Sequence, residues 1–212
     1  PWVSFKIKIF IGSAMIDKYN KLNNLSCDKK NIVELGCGPS RMFNHSITID
    51  KIDLETVDIV ADINNGLEFI PDNTIDEVYS NHFLEHVQNL EFVMSEIYRI
   101  LKPGGRKIGT VPHFSNPHFY SDYTHIHFFG LYSFYYMTKI SSLKRKVPTF
   151  YNNLNFIVID VRFRFYSSFK IRNHIKKIYQ IIFNMNGYMK EYYEENLCYI
   201  FPANEIYFVL EK

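Results

Sequence analysis

The hydrophobic pattern changes its period along the chain, and each period predicts a type of element. Apolar side chains at helical spacing over residues 4–24 predict an amphipathic helix, and a second helix is predicted over 84–101, before KPGG. Short runs rich in β-branched residues and bounded by turn residues predict strands. The seven predicted strands are 31–35, 46–50, 57–63, 75–81, 106–112, 156–163 and 205–212.

Strands separated by helices or crossover connections predict an α/β fold, Rossmann-like and doubly wound around a mainly parallel sheet. No internal repeat or linker interrupts the sequence, so we expect one domain over 1–212. Its predicted parts are an N-terminal helical cap (1–30), a ligand-binding core (31–166), an insertion (167–203) and a final strand (204–212). In such sheets the ligand binds beyond the carboxyl ends of the strands.

Composition narrows the class of protein. The 212 residues are 47% hydrophobic and 17% aromatic, which excludes a disordered or collagen-like chain. Since no apolar run approaches the roughly 20 residues of a membrane span, we expect none. The three cysteines Cys27, Cys37 and Cys198 are far apart and form no metal-binding pattern. We therefore expect no disulfide framework, no metal, and a cytoplasmic location.

Charge is distributed unevenly, although the formal net charge is only +2. Residues 50–100 hold 12 acidic and 2 basic side chains, whereas residues 139–177 hold 10 basic side chains and one acidic. A chain polarised in this way can attract an anionic ligand or lie against an anionic surface. The alternative is that the two segments only solvate different faces of one domain.

Residues at three successive strand ends indicate an adenosine-containing ligand. The first strand runs into VELGCGPS, where Gly36 and Gly38 let the backbone approach a ligand closely. Asp50 ends the second strand, where a carboxylate can bind a ribose diol. Asp62 follows at the end of the third strand, where it can accept a hydrogen bond from an adenine amino group.

A nicotinamide dinucleotide fits this pattern poorly. Its fingerprint needs a third glycine three residues after the second, and that position is Arg41. Only about 14 residues separate Gly36 from Asp50, which leaves room for a reduced first helix at most. The pattern therefore favours an adenosine that carries no diphosphate.

In this order, the segments ELGCGPS, ITIDKI, VADI, 75–87 and 96–112 resemble the class I S-adenosylmethionine-dependent methyltransferases, in the branch acting mostly on small molecules. The resemblance implies a seven-stranded sheet with an antiparallel last strand. It also implies S-adenosylmethionine as methyl donor and S-adenosylhomocysteine as product. The implied cofactor-binding residues are Glu34, Gly36, Cys37, Gly38, Asp50, Lys51, Asp62, Ile63 and Asn81.

The resemblance also assigns parts of the cofactor to these positions. The glycine loop would pass the methionine part, Asp50 would hold the ribose, and Asp62 with Ile63 would hold the adenine. Asn81 would offer its backbone to the amino acid end. Glu34 would support either the glycine loop or the cofactor amino group.

Four of the eight histidines, His113, His118, His125 and His127, lie just after the fifth predicted strand. In this fold the segment would border the acceptor pocket. A neutral histidine there can take a proton from the attacking atom, because its ordinary pKa is about 6.5. His113 is the first candidate base and His125 the second. The alternative is that these histidines pack in an aromatic wall.

Residues 112–137 and 192–211 resemble bacterial methyltransferases associated with cell-surface sugar pathways. The predicted function is methyl transfer to an oxygen or nitrogen of a small anionic molecule, such as a phosphorylated or nucleotide-linked sugar. Because SNHF follows the fourth strand, instead of an Asn-Pro-Pro-Tyr signature, we argue against nucleobase N-methylation. Alternatives are a non-catalytic binding protein of the same fold and an RNA methyltransferase. No DNA partner is expected, RNA ranks below a small molecule, and the oligomeric state is open.

The insertion 167–203 predicts an amphipathic helix with Phe169, Ile175, Ile178 and Ile182 near one stripe. Lys170, Arg172, Lys176 and Lys177 lie largely around that stripe. Such a helix could pack on the sheet, cover the acceptor pocket as a lid, or lie on an anionic membrane surface. Between the two functional alternatives the sequence favours the lid.

Overall fold

The computed structural model describes residues 8–10, 13–26 and 29–212. The strands in these residues are β1 Lys8–Phe10, β2 Ser13–Asp17, β3 Ile32–Leu35, β4 Ile47–Asp50, β5 Ile59–Val60, β6 Ile75–Asn81, β7 Leu101–Pro112, β8 Ile157–Arg164 and β9 Glu205–Glu211. The α-helices are α1 Leu90–Ile100, α2 Lys170–Phe183 and α3 Gly187–Asn196. The chain divides into a first unit, which runs through Ile108 and includes Lys212, and a second unit, Gly109–Glu211.

In the first unit the strand order is β1-β2-β5-β4-β3-β6-β7. Strand β3 pairs in parallel with β4, Val33 opposite Ile47, and with β6, Val33 opposite Val78. Strand β5 continues the parallel arrangement beside β4, whereas β2 is antiparallel to β5. Every residue of β3 is buried, as expected for a central parallel strand with both faces covered. The predicted parallel α/β core is confirmed in this unit.

The connections between these strands contain little helix. Residues 36–46, between β3 and β4, form turns only, so the predicted reduction of the first helix is confirmed. Helix α1 begins later than predicted, because the side chain of Asn89 accepts a hydrogen bond from the N–H of Phe92 and caps it. Residues Leu84–His86, which the sequence assigned to the same helix, form a separate 3-10 turn.

The amphipathic helix predicted over 4–24 is wrong for the residues described there. Ser13–Asp17 is a strand whose Ile16 and Asp17 pair with Val60 and Ile59 of β5, and Met15 is buried. The carboxylate of Asp17 then accepts the N–H groups of Lys21 and Leu22, which starts a short 3-10 turn. Pairing with a sheet edge has overridden local helical spacing. Residues 1–7, 11–12 and 27–28, including Cys27, lie outside the described part.

Two strand predictions also need correction. The described residues contain nine strands rather than seven, because β1 and β2 form where a helix was expected. The third predicted strand, 57–63, shrinks to Ile59–Val60, since the Asp62 side chain caps a 3-10 turn over Ile63–Asn65. Residues 102–105, which the sequence placed between the helix over 84–101 and the strand over 106–112, belong to β7, and Gly104 lies there at a φ of 77°.

In the second unit β8 and β9 are antiparallel, with Val161 opposite Phe208. Helices α2 and α3 lie between these strands in the chain, which places helices within the predicted insertion. The fully buried Tyr193 lies at the centre of an aromatic core and donates a 2.9 Å hydrogen bond to the carbonyl of Phe201. No described helix has the length and apolar character needed to cross a membrane.

Candidate functional site

The glycine loop leaves β3 with a backbone that only glycine adopts easily. Gly36 has a φ of 65° and Gly38 a φ of 55°, both in the left-handed region. A Cβ at Gly36 would also overlap the ring of Phe83. The loop therefore turns sharply where β3 ends, as the glycine pattern predicted.

Asp50 ties the end of β4 to this loop. One of its carboxylate oxygens accepts the N–H of Gly38 at 3.0 Å, and the other accepts the N–H of Ile52 at 3.0 Å. Cys37 lies half-buried between the two glycines, and burial followed by the negative charge of Asp50 raises the pKa of its thiol. Asp50, the residue predicted to bind the ribose, is therefore hydrogen-bonded to the loop predicted to pass the methionine part of the cofactor. Lys51, next in the chain, is exposed.

Glu34 is fully buried and stabilises the following loop instead of pointing into solvent. Its carboxylate accepts the N–H groups of Met42 and Phe43 at 2.8 and 2.9 Å and a hydrogen bond from the hydroxyl of Ser46. These contacts lie on residues 42–46 and not on the glycine loop, so support of the glycine loop by Glu34 stays a prediction. Contact of Glu34 with a cofactor amino group stays a prediction.

Asp62 and Ile63 follow β5 at the same type of position, the end of a parallel strand. Oδ1 of Asp62 accepts both the backbone N–H of Asn64 at 3.0 Å and its side-chain amide at 2.9 Å. Both of these hydrogen bonds from the described residues end on Oδ1, so the other carboxylate oxygen, Oδ2, can accept a hydrogen bond from a ligand. The Ile63 side chain is buried, so what this residue can offer a ligand is its backbone.

The end of β6 holds Asn81 and two residues that the sequence analysis missed. Asn81 is exposed, and its amide lies 3.3 Å from the sulfur of Met42. His82 has a φ of 48°, which is uncommon outside glycine and accumulates at functional sites. Glu85 is fully buried, with Oε1 3.3 Å from Nδ1 of His82. The sequence feature that could have indicated a buried Glu85 is a carboxylate flanked by apolar residues in FLEHV (83–87).

Arg41, the residue at the third-glycine position, is committed to structure. Its guanidinium donates to the carboxylate of Asp58 at 2.6 Å and to the hydroxyl of Thr48 at 3.0 Å. Asp58 is buried, so this ion pair fixes the β3–β4 connection from inside. No helix N-terminus follows the glycine loop, which agrees with the argument against a dinucleotide.

In the second unit, the predicted base His113 is fully buried. Its Nδ1 accepts the N–H of Ser115 at 3.1 Å and lies 2.7 Å from the Ser115 hydroxyl. Its Nε2 therefore carries the proton and donates to Oε2 of Glu194 at 3.1 Å. The N–H of Leu131 donates to the same oxygen at 2.5 Å. Both nitrogens of His113 are thus occupied, and the group that it positions is Glu194.

The other histidines of this segment are placed differently. His125 lies with Nδ1 3.0 Å from the carbonyl of Phe119 and Nε2 3.5 Å from the carboxylate of Asp122. Its ring packs on Phe119 with a centroid distance of 4.7 Å. His118 is exposed and His127 is half-buried. Packing and local hydrogen bonding describe His125, as the alternative in the sequence analysis expected, and its role as a base stays a prediction.

A cavity of about 930 Å³ lies within the second unit. Its walls combine aromatic rings with both signs of charge: Phe114, Tyr132, Lys144, Arg145, Tyr188, Glu191, Tyr192, Glu194, Glu195 and Tyr199. This volume suits a ligand of nucleotide or sugar-nucleotide size. Glu194 lines the cavity, whereas His113 lies behind it.

Comparison with known proteins finds a methyltransferase domain in part of the chain. Residues 33–108 match the family described as a methyltransferase domain. A structure of an S-adenosylmethionine-dependent methyltransferase from Archaeoglobus fulgidus superposes with a TM-score of 0.54 at 15% identity, over 91% of this chain and 90% of that one. No curated protein matches the chain by sequence.

Two further structures resemble the chain more weakly. One is an S-adenosylmethionine-dependent methyltransferase from Mesorhizobium loti, with a TM-score of 0.48, 13% identity, and coverage of 92% and 98%. The other is phosphoethanolamine N-methyltransferase 2 from Haemonchus contortus, with a TM-score of 0.49 and 16% identity. It matches over 96% of this chain and 54% of that one.

The family match covers the strand ends described above, and the fold agrees with it. The methyltransferase-domain match over residues 33–108, together with the fold, supports a class I S-adenosylmethionine-dependent methyltransferase with S-adenosylmethionine as its cofactor. The resemblance to these methyltransferases is thereby confirmed, whereas the resemblance to enzymes of cell-surface sugar pathways stays a prediction. The cofactor fits an observation of the first unit: glycines at positive φ lie beside a strand-end carboxylate, with no helix N-terminus to bind a diphosphate.

Proposed function

We propose that the enzyme methylates an oxygen or nitrogen atom of a small anionic molecule, with a phosphorylated or nucleotide-linked sugar as the acceptor. The observation that carries this proposal is the cavity of the second unit, where four tyrosines and a phenylalanine accompany Lys144 and Arg145. Aromatic faces suit the stacking of a sugar or a base. Arginine and lysine side chains suit a phosphate.

The positive side of the cavity is held in place by Glu191. Its carboxylate accepts the N–H groups of Lys144 and Arg145 at 3.0 and 2.8 Å and the hydroxyl of Tyr132 at 3.0 Å. These bonds outweigh the burial that opposes ionisation and lower the pKa of Glu191. The guanidinium of Arg145 stacks on the ring of Tyr132 at 4.7 Å. The two cations are therefore fixed by backbone contacts, which leaves their side chains to a ligand.

We assign the proton acceptor to Glu194 and a positioning role to His113. Oε2 of Glu194 is held by His113 and Leu131, and Oε1 accepts no hydrogen bond in the part of the chain described here. A carboxylate at the cavity wall can take the proton that the acceptor atom loses as it attacks the methyl group. S-adenosylmethionine supplies that methyl group as an electrophile, and the protein contributes mainly by positioning the reactants.

We propose that residues 1–212 act as one methyltransferase domain in the cytoplasm. The insertion 167–203 would then supply one wall of the acceptor cavity through α3, which carries Tyr188, Glu191 and Tyr192. This supports a role of the insertion at the acceptor pocket, as the lid hypothesis expected, but through α3 and not through the amphipathic helix α2. Two basic residues of the helix predicted as a lid, Lys176 and Lys177, do not line the cavity: Lys176 donates to the side chain of Asn204 at 2.9 Å, and Lys177 is exposed.

Methyl transfer from labelled S-adenosylmethionine to a panel of acceptors tests the proposal. The panel contains phosphorylated and nucleotide-linked sugars, their uncharged counterparts, and RNA. We expect turnover with the phosphorylated compounds, and an Arg145→Gln variant with a KM raised about tenfold or more for them, since a charge-assisted hydrogen bond is lost. Lys139→Gln, exposed and outside the cavity wall, is the control. Preference for uncharged acceptors or for RNA, or an unchanged KM in Arg145→Gln, would contradict the proposal.

A further inference from the structure

Helix α2 presents its apolar face to solvent. Ile171, Ile175, Ile178 and Ile182 recur at spacings of four, three and four residues and therefore form one stripe. Ile171 is 80% exposed and Ile178 is 54% exposed. Met185, just beyond the helix, is also exposed. An ordinary surface helix would direct such a stripe to the core.

The orientation of α2 is fixed by contacts on its opposite face. The ring of Phe183 is buried, and Tyr179 packs on Phe201 with a centroid distance of 4.8 Å. Oε1 of Gln180 accepts the N–H of Phe165 at 3.0 Å, and Lys176 donates to Asn204 at 2.9 Å. Turning the isoleucines inward would break all these contacts. The exposed stripe is therefore a built feature of the helix.

The charges around the stripe are all of one sign. From residue 161 to residue 190 the chain contains seven basic side chains and no acidic one. Lys170 and Lys177 follow one edge of the isoleucine stripe, and Arg172 lies on the other. Arg172 is also extended over the exposed ring of Phe169 at 4.9 Å. An apolar stripe between basic edges is the pattern of a helix that lies in the plane of an anionic bilayer surface.

We propose that α2 docks the enzyme on the surface of a membrane that contains anionic lipids. The isoleucines would enter the boundary between headgroups and acyl chains, while Lys170, Arg172 and Lys177 contact lipid phosphates. Apolar burial and basic attraction act together, which satisfies the need for two signals in stable peripheral binding. The uniform positive charge favours a lipid surface over a second copy of this chain, which would present the same charges. This inference is independent of the acceptor proposed above.

Co-sedimentation with vesicles tests the docking surface. Phosphatidylcholine vesicles are compared with vesicles that also contain phosphatidylglycerol. We expect binding only to the second kind. The double variant Ile171→Ser/Ile178→Ser should lower the partition coefficient about tenfold or more, because the apolar contribution is removed. The matched control is Ile140→Ser/Ile157→Ser, whose side chains are 80% and 53% exposed outside α2, and it should bind like the wild type.

Charge is tested in the same way. Lys170→Gln/Lys177→Gln should weaken binding about tenfold to thirtyfold, since each basic residue near an anionic surface contributes roughly a fivefold factor. Lys29→Gln/Lys139→Gln, which removes the same net charge elsewhere, should leave it nearly unchanged. Affinity for S-adenosylmethionine serves as a folding check for every variant.

Three results would overturn the proposal. One is equal sedimentation with neutral and anionic vesicles. Another is an equal loss of binding in the α2 variants and their matched controls. The third is a lipid-independent dimer in light scattering that Ile171→Ser/Ile178→Ser abolishes, which would assign the stripe to a second copy.

Discussion

The first unit builds its site from backbone groups and carboxylates, whereas the second unit builds its cavity from aromatic side chains. In the first unit, Glu34, Asp50 and Asp62 each accept backbone N–H groups within about 2 to 12 positions along the chain. In the second, Glu191 and Glu194 bind partners 46 to 81 positions away. A cofactor shared by many enzymes suits the first arrangement, and an acceptor specific to one enzyme suits the second.

Replacing Glu194 should have the largest effect on turnover. It should also distinguish the role of the second unit in turnover from the role of the first unit in cofactor binding. Glu194→Gln keeps the size of the side chain but cannot accept the proton of the acceptor. We expect turnover to fall about 10²- to 10⁴-fold with the affinity for S-adenosylmethionine nearly intact. Steady-state kinetics and calorimetric titration measure the two quantities.

Glu195→Gln is the matched control, because Glu195 lines the same cavity and is exposed. It should change turnover only severalfold. His113→Gln should lower kcat more than it changes KM, since it acts through Glu194. If Glu194→Gln retains full turnover, the proton acceptor has been assigned to the wrong residue.

Replacing Asp50 should give the opposite result. In Asp50→Ala the glycine loop loses its bond to β4 and the ribose loses a charged partner. Because a hydrogen bond to a charged group contributes about 1.5–3 kcal/mol, we expect the Kd for S-adenosylmethionine to rise about 10- to 100-fold. Asp53→Ala removes only an exposed ion pair with Lys18 and should bind the cofactor within a few-fold of wild type. Equal affinities of the two variants would contradict the placement of the ribose.

The stability that the ion pair between Glu96 and Arg99 contributes in the first unit should be sensitive to acid. Two hydrogen bonds from Arg99, at 2.8 and 2.9 Å, lower the pKa of Glu96 below the 4.5 of a free glutamate, against the opposing effect of burial. The ionised form is therefore favoured in the folded state. Its stabilisation is fully present above about pH 4.5 and is lost as the pH falls through the lowered pKa.

At neutral pH, Glu96→Gln should lower the free energy of unfolding by about 1.5–3 kcal/mol. Urea denaturation at several pH values measures this difference, which should shrink as the pH falls below the value of free glutamate. A difference that is the same at neutral and at acidic pH would contradict the role of the ion pair.

The smallest effect concerns Cys37. Burial and the charge of Asp50 raise the pKa of its thiol above the ordinary value of 9.0. Alkylation should therefore be slow at neutral pH and should still accelerate above pH 9. We expect S-adenosylmethionine to slow alkylation severalfold further, because the cofactor is predicted to pass the glycine loop. Peptide mapping by mass spectrometry follows the modification, with the buried Cys198 as internal reference. If the cofactor does not slow the alkylation of Cys37, the prediction that the cofactor passes the glycine loop is wrong.

Local patterns predicted the parts of the molecule that local interactions determine. The predicted bounds of the fourth strand, which follows turn residues at 71–74, agree with those of β6, Ile75–Asn81, and Asp50 ends β4 as predicted. The helix expected over 4–24 failed because pairing with β5 decides that region. Helical spacing also found the isoleucines of α2, but it could not show that their stripe faces outward.

The candidate acceptor site was predictable only in part. The sequence indicated His113, yet nothing near it in the chain pointed to Glu194, which lies 81 positions away. Tyrosines of α3 do not form a distinctive pattern, since this helix is polar and aromatic on several sides. Contacts between distant segments create this cavity, and a periodic sequence pattern cannot predict such contacts.

The central claim is that the strand ends of the first unit bind S-adenosylmethionine. Thermal unfolding of the unmodified chain with S-adenosylmethionine, S-adenosylhomocysteine or NAD tests it most directly. At about 100 times its Kd a ligand contributes about 2.7 kcal/mol, which corresponds to a rise in Tm of roughly 5–10 °C. We predict such a rise with both sulfur compounds and none with NAD. A rise with NAD alone would contradict the assignment.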